Sequence, residues 1–354
     1  MQTVPTAVSA DPVESRSIST FLASTIGPLK AAPGAVAGFA QREQGGFRLT
    51  LGAYNTSIHT IYDLASVSKP LTALTTSALV EAGSCNYNSP LSSLLSLSQG
   101  TFAGEKTLAQ LLSHRSGLAA HREFFRASAA GSPVNKRRLL RWAAGCRGTQ
   151  PPGAVLYSDL GYMLVGAAIE AMTEMSLQAA IHKYVTSPWQ LGWASSGSFR
   201  RTQGQHGLNW AATEINHDRG GLLRGVVHDD NAWALSGWGC SGHAGLFADA
   251  EAVLRLGIQL LDRLSTPQVA PLVEPHPAGT WLMGFDGKSP ERSTAGSLAS
   301  PRTFGHLGFT GTSFWVDPER QRVTVLLTNR VHPSRDNPRL APLRSIIHDF
   351  LWES

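Results

Sequence analysis

Apolar residues in this chain recur at helical spacing in some stretches and as short alternating or unbroken runs in others, the patterns that predict helices and strands. Ile18, Phe21, Leu22 and Ile26 form one stripe of a helix over 12–29. Runs over 35–40 and 47–54, separated by Gln44-Gly45-Gly46, predict a hairpin. Val67, Leu71, Leu74 and Ala78 return to helical spacing, and 70–80 carries no charge, which predicts a buried central helix ending at Gly83. From 86 to 245, helices over 108–114, 136–144, 158–172 and 177–185 alternate with Gly/Pro/Ser loops and few strand signals. A helix over 248–264 follows, then strands over 280–285, 311–316 and 322–327, with Asp317-Pro318-Glu319-Arg320 as a turn, and a closing helix over 343–352. Strands at both ends with helices between predict an α+β fold. Segments 11–83 and 246–354 would share one sheet as an α/β domain, and 84–245 would form an all-helical domain.

Composition adds exclusions. A chain of 354 residues with 42% hydrophobic and 16% charged residues is ordinary for a soluble globular protein with a sizeable core. The net charge of +5 is scattered except at Lys136-Arg137-Arg138 and Arg141, which reads as a solvated helix face, and no nucleic-acid motif accompanies it. Cys85, Cys146 and Cys240 form no C-x-x-C pair, so neither a disulfide framework nor a cysteine metal site is expected, and a reducing compartment fits. Residues 1–20 contain Asp11, Glu14 and Arg16 and lack the apolar core of a secretory signal, so a cytoplasmic location is expected. No apolar run approaches the roughly 20 residues of a membrane span.

The chemistry starts at Ser66-Val67-Ser68-Lys69-Pro70. Pro70 lacks an N–H and is tolerated near a helix start, so it places Ser66 beside the N-terminus of the central helix. Residues three apart share a helix face, so the Lys69 amine can reach the Ser66 hydroxyl and act as the base a serine nucleophile needs. Desolvation beside an apolar helix predicts a lysine pKa lowered toward neutrality. The plainer reading is a helix start with Ser66 as cap and Lys69 in solvent.

Two further stretches carry candidate groups. In Tyr157-Ser158-Asp159, Ser158 is placed as the N-cap of a helix, which leaves Tyr157 either as a phenol able to shuttle a proton or as an aromatic staple. Gly305-His306-Leu307-Gly308-Phe309-Thr310-Gly311-Thr312 reads as a glycine-rich entry to a strand, where substrate can approach the backbone and His306 can hydrogen-bond Tyr157 or substrate. His228-Asp229-Asp230 and His243 are metal-ligand types without recognisable spacing. His-Glu-x-x-His is absent and no glycine run stands between a strand and a helix pattern as a Rossmann fingerprint does, so no metal or organic cofactor is expected, and the lack of a Gly-x-Ser-x-Gly elbow disfavours an α/β-hydrolase.

In this order the three motifs resemble those of the penicillin-recognising serine hydrolases, in the branch of class C β-lactamases and penicillin-binding-protein-like enzymes that includes esterases. That pattern is Ser-x-x-Lys, Tyr-x-Asn and Lys/His-Thr/Ser-Gly, and here it stands as Ser66 to Lys69, Tyr157-Ser158-Asp159 and His306-Leu307-Gly308. Further matches over 111–118, 188–192, 242–247 and 327–333 extend the resemblance from about residue 35 to residue 350. It implies a β-lactamase/transpeptidase-like fold, an antiparallel sheet flanked by helices with a helical insert, and a site in the groove between them. It also implies that Ser66 attacks a carbonyl while Lys69 and Tyr157 move protons beside His306. The backbone N–H groups of Ser66 and Phe309 would hold the oxyanion, and water would hydrolyse the acyl-enzyme.

Two departures bear on substrate. Leu307 replaces a hydroxyl that helps bind a substrate carboxylate, and Asp159 replaces an amide with a group that, ionised, only accepts. Asp159 would repel a carboxylate, or would pair with Lys69, raise its pKa and hand more of the base role to Tyr157. With Gly308 these residues define the expected substrate contacts. Trp233, Trp238 and Trp315 are candidates for an apolar acyl pocket. The predicted function is acyl-enzyme hydrolysis of small esters or amides. The alternatives are a DD-carboxypeptidase acting on peptides or a weak β-lactamase and, from another class, a penicillin-binding sensor that acylates without turning over. Nothing in the sequence speaks to oligomeric state.

Overall fold

The structure, a computed structural model, describes residues 12–127, 133–151, 153–195, 209–237, 239–277 and 279–354. Its strands are β1 (Ala35–Glu43), β2 (Gly46–Tyr54), β3 (Tyr62–Asp63), β4 (Ala194–Ser195), β5 (Ala212–Asn216), β6 (Gly221–Arg224), β7 (Leu246–Ala248), β8 (Asp286–Gly287), β9 (Phe304–Gly308), β10 (Thr312–Asp317) and β11 (Arg322–Thr328). An antiparallel six-stranded sheet runs β2-β1-β11-β10-β9-β8, so both chain ends contribute to it. Alternation along the strands divides the core. Ala35, Ala37 and Phe39 of β1 and Leu326 of β11 join Ile18, Leu22 and Ile26 of helix Pro12–Ile26 and Ile347 and Leu351 of helix Leu343–Glu353. Val36, Ala40, Val323, Val325 and Leu327 point the other way, onto Val253, Leu256 and Leu260 of helix Ala250–Asp262 and into the large core that includes the central helix. Phe21, part of the predicted stripe, is only half-buried and stacks on Phe350 with ring centroids 4.0 Å apart.

The central helix runs Lys69–Glu81 behind a 3-10 turn, Ala65–Ser68, so Ser66 stands one turn ahead of the helix. It is buried nearly all round, and its inward hydroxyls find backbone acceptors: Thr72 donates to Gly242 O at 2.8 Å, Thr75 to Leu71 O at 2.7 Å and Thr76 to Thr72 O at 2.9 Å. The turn is held from two sides. Leu64 N donates to Leu246 O of β7 at 3.0 Å, while Thr310 Oγ1 donates to Asp63 O at 2.6 Å and Thr312 Oγ1 to Leu64 O at 3.0 Å. Ala65 adopts φ +46°, a left-handed conformation that costs a non-glycine residue about 1 to 3 kcal/mol and is kept only by surroundings that over-determine it.

The structure departs from the sequence expectations in three places. The middle of the chain is not all-helical: β5 and β6 form a hairpin, and β4 pairs with β7 in a second sheet ordered β3-β7-β4. The hairpin turns through Gly220, at φ +86°, and Gly221, at φ +109°, a glycine pair that signals a turn more directly than the flanking residues signal strands. Residues 280–285 form a loop, because Gly284 turns the chain at φ +97° against the central helix, where a Cβ would lie 2.3 Å from Ala73 Cβ. The glycine-rich run that was expected to enter a strand is itself β9 as far as Gly308, followed by the turn into β10.

Candidate active site

Lys69 is fully buried, and burying an ammonium is costly unless it is paired. Its Nζ donates to Ser66 Oγ at 2.8 Å, to Asp159 Oδ1 at 2.8 Å and, more loosely, to His243 O at 3.4 Å. Asp159 is presented by the first turn of helix Asp159–Thr173, whose N-cap Ser158 accepts from Gly161 N. Burial works against the lysine's charge, but Asp159 outweighs it, with a contribution from Tyr157, so the Lys69 ammonium is held above its ordinary pKa. The expected lowering of the lysine is therefore overturned, because the desolvation that predicts it is offset by a carboxylate in direct contact. Burial likewise pushes the Asp159 carboxyl up, yet Lys69 and then His121 pull it well below the usual carboxylate range. The resting pair is ammonium and carboxylate.

Tyr157 precedes the same helix, with its ring 4.7 Å from Lys69 Nζ. Burial raises its pKa, and the lysine charge only partly opposes this, so it rests as a phenol. The ring stands among His114, Trp281 and His306, at centroid distances of 4.5, 4.8 and 6.2 Å. His114 Nδ1 accepts from Ser158 N at 3.0 Å, which fixes the start of the helix, and burial and Lys69 keep this imidazole neutral. His306 points its Nδ1 at Leu307 O at 2.7 Å rather than at Tyr157, and burial with Lys69 lowers its pKa to about 3. Its buried Nε2 has no hydrogen-bond partner among the described residues.

A cleft of about 560 Å³ opens over Ser66. One wall is the end of β9. Gly308 lets that strand reach the turn that carries Ser66, since a Cβ there would lie 2.0 Å from Thr312 Oγ1 and 2.5 Å from Leu64 O. Leu307 lines the cleft while packing in part on Ala295, Ala299, Trp315 and Trp352. Phe309 is 52% exposed at the rim, its ring 5.8 Å from that of His228 and 4.5 Å from the Arg330 guanidinium carbon. Arg344 reaches the same wall from helix Leu343–Glu353, donating to Gly308 O at 2.8 Å. Its Nε is buried without a partner among the described residues, and burial lowers its pKa to about 10.

Asp159, His121, Glu123 and Asp229 also line the cleft. His228 N donates to Asp63 Oδ2 at 2.6 Å and Ala65 N to Asp63 Oδ1 at 2.8 Å, so this buried carboxylate ties the turn that carries Ser66 to His228 in the cleft lining. His243 bonds Asp229 Oδ1 at 2.8 Å and Ser241 Oγ at 3.1 Å. Among the described residues no cluster of three or more His, Cys, Asp or Glu is arranged to hold a metal ion.

The sequence profile of the Beta-lactamase family matches residues 22–348. The chain belongs to the beta-lactamase family. A protein named putative D-alanyl-D-alanine carboxypeptidase, from Salmonella gallinarum (strain 287/91 / NCTC 13346), is 34% identical over 215 residues, covering 54% of this chain and 49% of that relative. The chain spans about half the length of the curated relatives it matches. Among solved structures, a beta-lactamase from Sulfitobacter sp. EE-36 superposes with a TM-score of 0.69 at 19% identity, covering 98% of this chain and 100% of the other. A hydrolase with promiscuous acyltransferase activity superposes with a TM-score of 0.69 at 19% identity, over 96% of this chain and 98% of the other. At that identity the likeness is one of fold. No helix among the described residues is long and apolar enough to cross a membrane.

This beta-lactamase-family site brings Ser66, Lys69, Tyr157, Asp159, His306 and the end of β9 into one cleft. It leaves out the candidate acyl-pocket tryptophans: Trp315 is buried with Trp352 away from Ser66, Trp233 lies against Arg219, and Trp238 falls outside the described residues. Trp281 takes the aromatic position, in the segment expected to be a strand. Asp63, His114, His121, Trp281 and Arg344 were not singled out from sequence. Only His114 lay within a family-like segment, and no spacing signal marks the other four.

Proposed function

We propose that this chain hydrolyses small esters or amides through an acyl-enzyme on Ser66. The observation that carries the reading is the 2.8 Å contact between Lys69 Nζ and Ser66 Oγ at the floor of an open cleft. From the ammonium, carboxylate and phenol of the resting site, one proton must first leave the Lys69–Tyr157 pair to solvent. The pair then takes the Ser66 proton as Oγ attacks the carbonyl, and it passes that proton to the leaving group. Water enters by the same route in reverse, giving its proton to the pair, which returns one to Ser66. The backbone N–H groups of Ser66 and Phe309 are the proposed oxyanion donors. His306, held neutral, packs beside Tyr157 and supplies no charge.

Neutral substrates fit Leu307, which offers no hydroxyl, and Asp159, which brings a negative charge. A second reading, cleavage of peptides ending in a carboxylate, is favoured by Arg344, whose buried guanidinium lies on the same wall, and by the name of the Salmonella relatives. A fluorophosphonate should form one adduct on Ser66, absent in Ser66→Ala, and a p-nitrophenyl ester should turn over steadily. A single stoichiometric burst would instead mark a trap, and an adduct elsewhere would end the Ser66 reading.

A further inference from the structure

Asp159 has two carboxylate oxygens and two basic neighbours. Oδ1 accepts from the buried Lys69 at 2.8 Å, while Oδ2 faces His121 Nδ1 at 3.6 Å, with the His121 side chain 46% exposed in the cleft. The backbone fixes this juxtaposition: Asp159 N donates to Ala120 O at 2.9 Å and Ser158 Oγ to Ala119 O at 2.7 Å, so the loop carrying His121 is bonded to the head of the helix carrying Asp159. A continuous path therefore runs from solvent through His121, Asp159 and Lys69 to Ser66.

We propose that His121 is a positioning residue that sets, through Asp159, how readily Lys69 gives up its proton to become the base for Ser66. The inference rests on the acyl-enzyme reading. An imidazolium at His121 shares the Asp159 charge and weakens its hold on the Lys69 ammonium, whereas a neutral imidazole returns that charge to Lys69 alone. The states imidazolium with amine and imidazole with ammonium carry the same number of protons, so the two groups titrate as a coupled pair. Three acidic groups face His121: Asp159 from its helix, Asp229 from the turn before helix Asp230–Ser236, and Glu123 from its own loop. The Asp159 contact, with support from the other two, outweighs partial burial and raises the His121 pKa. Asp159 in turn is faced by Lys69, His121 and His243.

The test is the rate at which a fluorophosphonate labels Ser66 as a function of pH, a readout that needs no turnover. It is followed for wild type, His121→Gln and His121→Lys, each with and without Asp159→Asn. His121→Lys, charged throughout, should label faster than His121→Gln by about tenfold at a given pH, the effect of one pKa unit on the neutral amine. Wild type should follow the lysine variant at low pH and cross to the glutamine variant as His121 deprotonates. With Asn at 159 the three curves should coincide. Three superimposed curves with Asp159 in place overturn the proposal, and so does a difference that persists in Asp159→Asn, which would mean direct contact with the reagent. Absence of Ser66 labelling in every protein would overturn the acyl-enzyme reading beneath it.

Discussion

Lys69 Nζ stands 2.8 Å from Asp159 Oδ1, so the lysine beside Ser66 is half of a buried ion pair rather than a free amine. The carboxylate stabilises the ammonium and postpones the loss of the proton that frees a base. Activity should therefore rise with pH. In Asp159→Asn the acid limb of the kcat/KM profile for a p-nitrophenyl ester should move to lower pH by about one unit or more, since each unit is about 1.4 kcal/mol of lost differential interaction. An unmoved limb would show that Asp159 does not control the base.

Lys69 Nζ contacts Ser66 Oγ at 2.8 Å, and in the proposed reaction Lys69 and Tyr157 together form the proton relay. Lys69→Ala and Tyr157→Phe should each lower kcat by at least about 10²-fold, the lower end for removing a general base. Pre-steady-state and steady-state ester kinetics check this. A loss below tenfold in both variants places the relay elsewhere.

Arg344 distinguishes the two substrate readings. The neutral-substrate reading expects kcat/KM for a short p-nitrophenyl ester to exceed that for a D-Ala-D-Ala peptide or a cephalosporin by about 10²-fold or more, the discrimination available when a site lacks a substrate's hydrogen-bond partner. If the peptide is preferred, Arg344→Leu should cost about 10- to 100-fold on the peptide, as for one charge-assisted hydrogen bond, and little on the ester. Equal losses on both substrates would place its effect in the hold on Gly308 O instead.

His348 lies buried between Ser313 Oγ at 2.8 Å and Thr324 Oγ1 at 2.9 Å, and burial lowers its pKa to about 3. An unfolded histidine binds a proton near pH 6.5. The unfolded state therefore gains protons first as pH falls, so this contribution to stability is complete above about pH 6.5 and shrinks from there toward pH 3. The loss at pH 4 should be on the order of 2 to 3 kcal/mol for this group. Urea unfolding at pH 7, 5 and 4 should show a shallower decline in His348→Gln, and parallel declines would assign the pH dependence to other groups.

The sequence alone determined the features that depend on near neighbours. The three-residue step from Ser66 to Lys69 brings the two side chains to one side of a helical turn, and the serine at 158 caps its helix through a bond to Gly161 N. Apolar spacing located the central helix, helix Ala250–Asp262 and the closing helix, and alternation located β1, β2, β10 and β11. The order of the three motifs identified the family. Where strand signals were short or broken by glycine, as in β5, β6, β9 and the loop around Trp281, local pattern misplaced the elements, because their conformation is set by what packs against them. Only the tertiary structure decided the charge of the site. The sequence left Lys69 open between an amine lowered by desolvation and an ammonium paired with Asp159, and only the 2.8 Å contact between groups 90 positions apart chose the second. Nor could His121 and Arg344 be placed in the cleft before the loop after Gly117 and the last helix were folded onto the same wall-to-wall opening as Ser66. Periodicity encodes which face of an element is buried. Which charges meet across elements depends on distances that no local pattern carries, and at contact range in a buried site those distances outweigh desolvation.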